Sequence, residues 1–284
     1  MIAGYAAVSA AALSFAGRPS GWGLLLLAHA LMAGGALLAA RLRPRATRGP
    51  LALLIDWYPL LLVPFLYAEL DTLNQAVHGG IYFDDVIQRI EAALFGTQPS
   101  VRWSRVMPVL PLSELLHAAY LAYYPLIYLP PLLVYAAGRR IEFRVMVFAL
   151  LLTFAVHYVF FIYFPVQGPR YLFAAPTGGL ERGLVYGLAH SVLESGSSRG
   201  AAFPSSHVGV AVAQTLLIAR FAPRLALPAA VVTVLLAAGA VYGGFHYAID
   251  VLVGAALGAA TCLSAMRWLP PADARARPER EPTP

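Results

Sequence analysis

Lysine is missing from this 284-residue chain, cysteine occurs once, and charged side chains of every kind make up only 12% of it. Soluble domains carry about 25% charged residues. A chain this poor in charge, with 60% hydrophobic residues, is therefore read as an integral membrane protein. The lone Cys262 lies inside an apolar run, which excludes an intrachain disulfide and a cysteine-based metal cluster. No positive residue precedes the apolar stretch that starts at Met1-Ile2-Ala3. A cleaved signal peptide has one, so this segment reads as a retained first helix. No convincing internal repeat is present.

What the chain does have is long apolar runs. About 20 such residues cross a bilayer as a helix, and eight stretches are candidates: 2–17, 22–41, 51–70, 113–137, 143–165, 205–222, 225–243 and 245–267. The expected fold is all-α, a polytopic membrane helical bundle. One or two N-terminal transmembrane helices occupy residues 1–50, a six-helix core occupies 51–268, and a disordered tail rich in Pro, Arg and Glu occupies 269–284.

A net charge of +6 would suit a nucleic-acid binder, but the arginines are sorted by membrane side. Thirteen of the twenty fall in the 41–48, 139–144, 220–224 and 267–280 connections, all on one face of an eight-helix model. The positive-inside rule makes that face cytoplasmic. The loops 71–112 and 165–204 and the turn at 243–246 then face outward, and no nucleic-acid partner is expected.

Two outer connections have a pattern of their own. Residues 83–95 place apolar side chains at helical spacing with charges between them, which predicts an interfacial amphipathic helix ended by Gly96 and Pro99. Residues 180–193 predict a second one, and Gly196-Ser197-Ser198-Arg199-Gly200 a flexible return, so the loop could serve as a lid.

The chemistry-bearing residues lie at the outer ends of the apolar runs. His246 and Asp250 are four apart, so a helix puts them on one face, where the carboxylate can reach a ring nitrogen and aim the other outward. An imidazole so oriented is a nucleophile, and a second one, His207, can protonate a departing alkoxide. The alternative is a buried polar pair tying helices together, but ionisable groups inside membrane segments are costly and usually functional. Two histidines and an aspartate also suit a metal. Ser205 and Ser206 would suit N-caps by themselves, but at a helix N-terminus with His207 following they read as phosphate-binding residues. Arg170 fits a phosphate ligand by its planar fork, and Arg199 and Arg182 are candidates for a second cation. Glu114 and His117 read as an acceptor site or an interfacial belt, His157 as a packing histidine, and Asp56 with Trp57 as an inner anchor. His29, His78 and His190 carry no signal.

Pro204-Ser205-Ser206-His207, His246 with Asp250, and Gln167-Gly168-Pro169-Arg170 together resemble the type 2 phosphatidic acid phosphatase superfamily over roughly residues 165 to 265. The resemblance implies that His246 attacks phosphorus to give a phosphohistidine, that Asp250 orients it, and that His207 is the general acid. It also implies that Arg170 holds phosphate and that neither metal nor cofactor is used. Three departures stand out. Ser206 replaces a glycine, Tyr163 stands where the family has a lysine, and Gly239-Ala240 stand where it has a serine-arginine pair. A thinned basic clamp looks more like the inositol phosphorylceramide synthase branch, which moves head groups between lipids. The expected partners are a phospholipid or isoprenoid phosphate substrate and membrane lipids, with no obligate protein partner. The site is expected to face outward from the cell (inner) membrane. A non-catalytic lipid-binding or lipid-transporting protein of the same fold is the alternative.

Overall fold

The computed structural model describes residues 2–15, 21–45, 49–175 and 178–267. Its elements, in chain order, are α1 (Ile2–Phe15), α2 (Trp22–Leu42), α3 (Gly49–Leu61), α4 (Val63–Ala68), α5 (Leu70–His78), α6 (Asp84–Phe95), α7 (Pro99–Val106) and α8 (Leu110–Leu121). There follow α9 (Tyr123–Ala136), α10 (Arg140–Tyr163), α11 (Pro169–Leu172), α12 (Leu184–Gly196), α13 (Ser206–Phe221), α14 (Ala226–Tyr242) and α15 (Ala248–Met266). No strand occurs among the described residues, only an isolated bridge between Val166 and Ala201. The protein is an all-α polytopic membrane bundle. Five described helices are long and apolar enough to cross a membrane, or six when the bent pair α8–α9 counts as one.

Two expected spans differ from straight rods. The 51–70 stretch breaks at Leu62 and Glu69, with Pro59 inside α3 and Pro64 in the first turn of α4. The 113–137 stretch bends by 45° between α8 and α9. Within α9, Pro130 and Pro131 have no N–H to offer the carbonyls four residues back. Those carbonyls are Leu126 and Ile127, and the Gln214 side-chain amide from α13 donates to both, at 2.7 and 3.3 Å. A buried glutamine in a membrane helix is thus matched to backbone groups that two prolines free.

Helix α13 is the hub. It packs against α9, α10, α14 and α15, and Val208, Val210, Ala211, Ala213 and Leu217 bury its surface on several sides. Close approach on the α15 side is set by glycines. A Cβ on Gly258 would fall on the Gly209 carbonyl, and one on Gly254 on the Ser205 carbonyl. Gly254 and Gly258 form the small-xxx-small spacing that lets membrane helices touch backbone to backbone. On the other flank, Gly239 of α14 meets the Leu116 carbonyl of α8 in the same way. Hydroxyl pairs at 2.7 Å, Thr153 with Thr261 and Thr215 with Thr233, tie α10 to α15 and α13 to α14.

The two ends of the bundle differ in chemistry. At one end Asp56, buried, is approached by the guanidiniums of Arg43, Arg140 (3.2 Å) and Arg144 (3.5 Å). Arg139 donates there to the Phe221 carbonyl that ends α13, at 2.9 Å. Asp56 is therefore the anchor expected from sequence. At the other end, where α13 begins, α5 to α7, α11 and α12 cover the helix ends. Residues 71–112 hold more helix than the single amphipathic segment expected, and the second amphipathic helix begins at Leu184 after a turn at Leu180–Arg182. Arg48 and the 269–284 tail lie outside the described residues.

The glycine seam yields a test. Gly258→Val forces a side chain into the Gly209 backbone and should lower stability by about 1–3 kcal/mol, the usual cost of overpacking. Thermal unfolding of detergent-purified protein measures it, with Gly34→Ala, which meets nothing within 4 Å, as control. Equal midpoints for the two variants would contradict this packing.

Candidate active site

The seam brings two helix N-termini together. Ser205 caps α13, its hydroxyl accepting from the Val208 N–H at 3.4 Å, and its own N–H donates to the Asp250 carbonyl at 2.9 Å. Before α15, the Ala240 carbonyl accepts the N–H groups of Phe245 and His246, both at 3.0 Å, which folds the turn carrying His246. The imidazoles then face each other, His246 Nε2 to His207 Nδ1 at 3.4 Å. His246 Nδ1 lies 3.0 Å from the Ala202 carbonyl. A carbonyl only accepts, so Nδ1 carries the proton and Nε2 presents a lone pair.

The carboxylate expected to orient this ring lies just beyond hydrogen-bonding distance of it. Asp250 Oδ2 is 3.6 Å from His246 Nδ1 and accepts the Tyr247 N–H at 2.8 Å, closing the first turn of α15. Ala202, which no sequence pattern marks, provides the shorter contact. His207 is held between aromatic rings, with Tyr120 stacked at 4.9 Å and Tyr123 at 4.2 Å between centroids.

Arg170 reaches the same small cavity, whose lining includes Tyr120, Gln167, Arg170, His207, Phe245 and His246. Its guanidinium donates to the Ser197 hydroxyl at 3.1 Å. Gly168, just before α11, has φ 92° and sits so close that an added Cβ would meet the Ala202 Cβ at 3.0 Å and the Phe245 carbonyl at 3.2 Å. Only glycine fits there.

Other candidates are sorted by their contacts. Ser205 is a cap, and neither it nor Ser206 is among the cavity residues. Arg199 is exposed, 5.1 Å from the Tyr171 ring that Arg170 approaches at 4.9 Å, and Arg182 is exposed on its turn. Glu114 receives the Val185 and Tyr186 N–H groups at 3.0 and 2.9 Å, so it caps α12. His117 packs against Tyr186 and Phe245, and His157 bonds the Thr153 carbonyl at 2.7 Å beneath Gly209. His29 is matched to the buried Glu69 at 3.2 Å, which Tyr5 also reaches at 3.1 Å. His78 contacts the Tyr163 carbonyl at 3.1 Å.

The residues that sequence reasoning missed are acidic. Asp84 and Glu91, seven apart on α6, face inward instead of toward water or headgroups. Asp84 accepts the Gln167 and Gly168 N–H groups, both at 2.9 Å, and the Tyr247 hydroxyl at 3.1 Å. Glu91 accepts the Ala248 N–H and, at 3.3 Å, the Ile249 N–H. One helix therefore fixes the loop before Arg170 and the start of α15. The seven-residue spacing was the available signal, read as a charged outer face.

Paired imidazoles and an arginine thus line one cavity at an end of a helical bundle of the integral membrane class. A family model described as the PAP2 superfamily matches residues 86–264, more than half the chain, and the protein belongs to that superfamily. No curated protein and no solved structure matches the chain.

Burial pushes the Glu91 carboxyl up from its usual 4.5 to about 7, although the N–H groups of Ala248 and Ile249 favour its ionised form. A carboxyl raised on folding contributes stability that is full below its unfolded pKa and is lost as pH rises through the folded one. Stability should therefore fall between about pH 4.5 and 7. Glu91→Gln, which keeps an acceptor oxygen, should flatten that part of the profile in unfolding experiments across pH. An unchanged slope would remove Glu91 from this role.

Proposed function

We propose that the protein is a lipid phosphatase or phosphotransferase that works through a phosphohistidine on His246. The observation that carries this reading is His246 Nε2 facing His207 Nδ1 at 3.4 Å while Nδ1 meets the Ala202 carbonyl, in a cavity shared with Arg170. Superfamily membership supports it, since members are phosphatases or phosphotransferases.

In the first step the Nε2 lone pair forms a bond to phosphorus while the bond from phosphorus to the ester oxygen breaks. His207 enters this step as the imidazolium, and the leaving oxygen takes its Nδ1 proton, leaving the ring neutral. In the second, water or an alcohol gives its proton back to His207, its oxygen bonds to phosphorus, and the P–N bond breaks. Arg170 and the N-terminus of α13 offset the charge on the equatorial oxygens. Asp250 and the Ala202 carbonyl keep Nδ1 protonated and so keep Nε2 free.

Transfer of a phospho-head group between lipids, inositol phosphate among them, is the finer reading. A monoester terminus is dianionic and gains from several cations, whereas a diester carries one charge. The positions that would supply cations do other things: the Tyr163 hydroxyl reaches the Val8 carbonyl at 3.3 Å, and Ala240 is fully buried. Non-catalytic lipid binding is the competing class, and the paired imidazoles weigh against it.

His246→Ala and His207→Ala should each abolish turnover, and Asp250→Asn should leave a trace, in an assay offering phosphatidate beside labelled phosphatidylinositol with a diacylglycerol acceptor. Full activity in folded His246→Ala protein would refute the covalent path. EDTA should leave the rate unchanged, and loss restored by zinc would favour a metal instead.

The arginine-rich end is assigned to the cytoplasm and the site to the outer face of the cell membrane. A reporter fused after Arg140 should be cytoplasmic and one placed between Tyr171 and Arg199 external. The opposite pattern would invert the assignment.

A further inference from the structure

At the arginine-rich end of the bundle, away from the facing histidines, α3 and α9 line an open groove of about 450 Å³. Leu53, Leu54 and Leu61 come from α3, and Tyr128, Leu132 and Tyr135 from α9. The four leucines are exposed. A groove on spanning helices meets lipid chains in any case, and what sets this one apart is its polar end.

Tyr135 is the link between groove and charge. The Arg140 guanidinium carbon lies 3.6 Å from the centre of its ring, so a stacked cation stands over the end of the apolar lining. Arg140 is one of three guanidiniums, with Arg43 and Arg144, that share the single carboxylate of Asp56. Glu142, the other acid at this end among the described residues, faces Arg139 at 3.3 Å. Three cations against one carboxylate leave two positive charges uncompensated. Their side chains stay 33–42% exposed, and each guanidinium has more N–H groups than Asp56 can accept.

Fixed cations at the end of an apolar slot ask for a ligand that is anionic at its head and apolar along its length. Free phosphate offers only the head, and a zwitterionic phospholipid brings a cation of its own toward the arginines. We infer that this groove is a binding site for an anionic diacyl phospholipid of the surrounding leaflet, with a chain along α3 and α9 and its phosphate on Arg43, Arg140 and Arg144. The planar fork of arginine matches phosphate oxygens, and basic pockets beside spanning helices hold anionic head groups in this way. The lipid is a bound ligand remote from the histidine cavity, so the inference does not rest on the phosphoryl-transfer reading.

The test uses full-length protein in phosphatidylcholine bilayers, titrated with phosphatidylglycerol or with phosphatidylcholine brominated on the acyl chains, while tryptophan emission is read. Trp57 lines the groove and is one of four tryptophans. The share of quenching that disappears in Trp57→Phe therefore reports the groove. Phosphatidylglycerol should quench that share at a lower mole fraction than phosphatidylcholine, and added salt should narrow the difference by screening. Arg144→Gln should reduce the preference about fivefold, the share of one arginine near a charged membrane surface. Arg144 is exposed and its loss leaves Asp56 paired with Arg43 and Arg140. Should that variant misfold, the salt series on unmodified protein decides. Equal quenching by the two lipids would leave only ordinary bilayer contact, and a preference unmoved by Arg144→Gln or by salt would remove the arginines. Absence of Trp57 quenching by either lipid would mean a groove closed to lipid, as by a second copy of the chain. Each of these results would overturn the inference.

Discussion

Backbone contact between α13 and α15 is the constraint on which the rest of the structure depends. Gly209, Gly254 and Gly258 remove the side chains that would hold these helices apart. The Ser205 N–H then reaches the Asp250 carbonyl at 2.9 Å. Two helix N-termini thereby open at one level, and the first-turn His207 comes within 3.4 Å of His246. Van der Waals packing of this kind is what membrane helices have in place of the hydrophobic effect between them. It couples fold to site directly, because any widening of the seam separates the imidazoles.

A second layer, outside the spanning helices, turns this meeting into a fixed geometry through carboxylates at helix starts. Glu91 receives the first N–H groups of α15, Glu114 those of α12, and Asp84 those of the Gln167-Gly168 loop. Each satisfies donors that a helix or tight turn leaves open, at the end of a dipole that favours an acceptor. The acidic residues thus act as clamps on the elements that carry His246, Asp250 and Arg170. The cost falls on Glu91, whose buried carboxyl resists ionising.

Arg170 stands between two spaces of different character. The smaller holds the imidazole pair under aromatic walls, and the larger offers hydroxyl, imidazole, guanidinium and carboxylate groups together.

The sequence by itself determined the membrane class, the approximate spans and the catalytic candidates, because apolar run length, arginine placement and residue spacing are local quantities that one chain displays openly. His207, His246 and Arg170 do converge, as their placement at the outer ends of runs implied. It did not determine partners that depend on two distant segments meeting. Asp84 and Glu91 looked like the charged face of an interfacial helix because periodicity shows which residues share a side, not which side is covered. Position alone does not say where a hydroxyl points, and only the folded chain shows the Ser205 hydroxyl accepting the Val208 N–H at 3.4 Å. Asp250 looked like the sole support of His246, whereas the Ala202 carbonyl lies nearer. Backbone groups carry no sequence signature. Only the folded chain decides which carbonyl or N–H comes within 3 Å of a side chain, and in this protein such contacts set the tautomer of His246 and the position of α15.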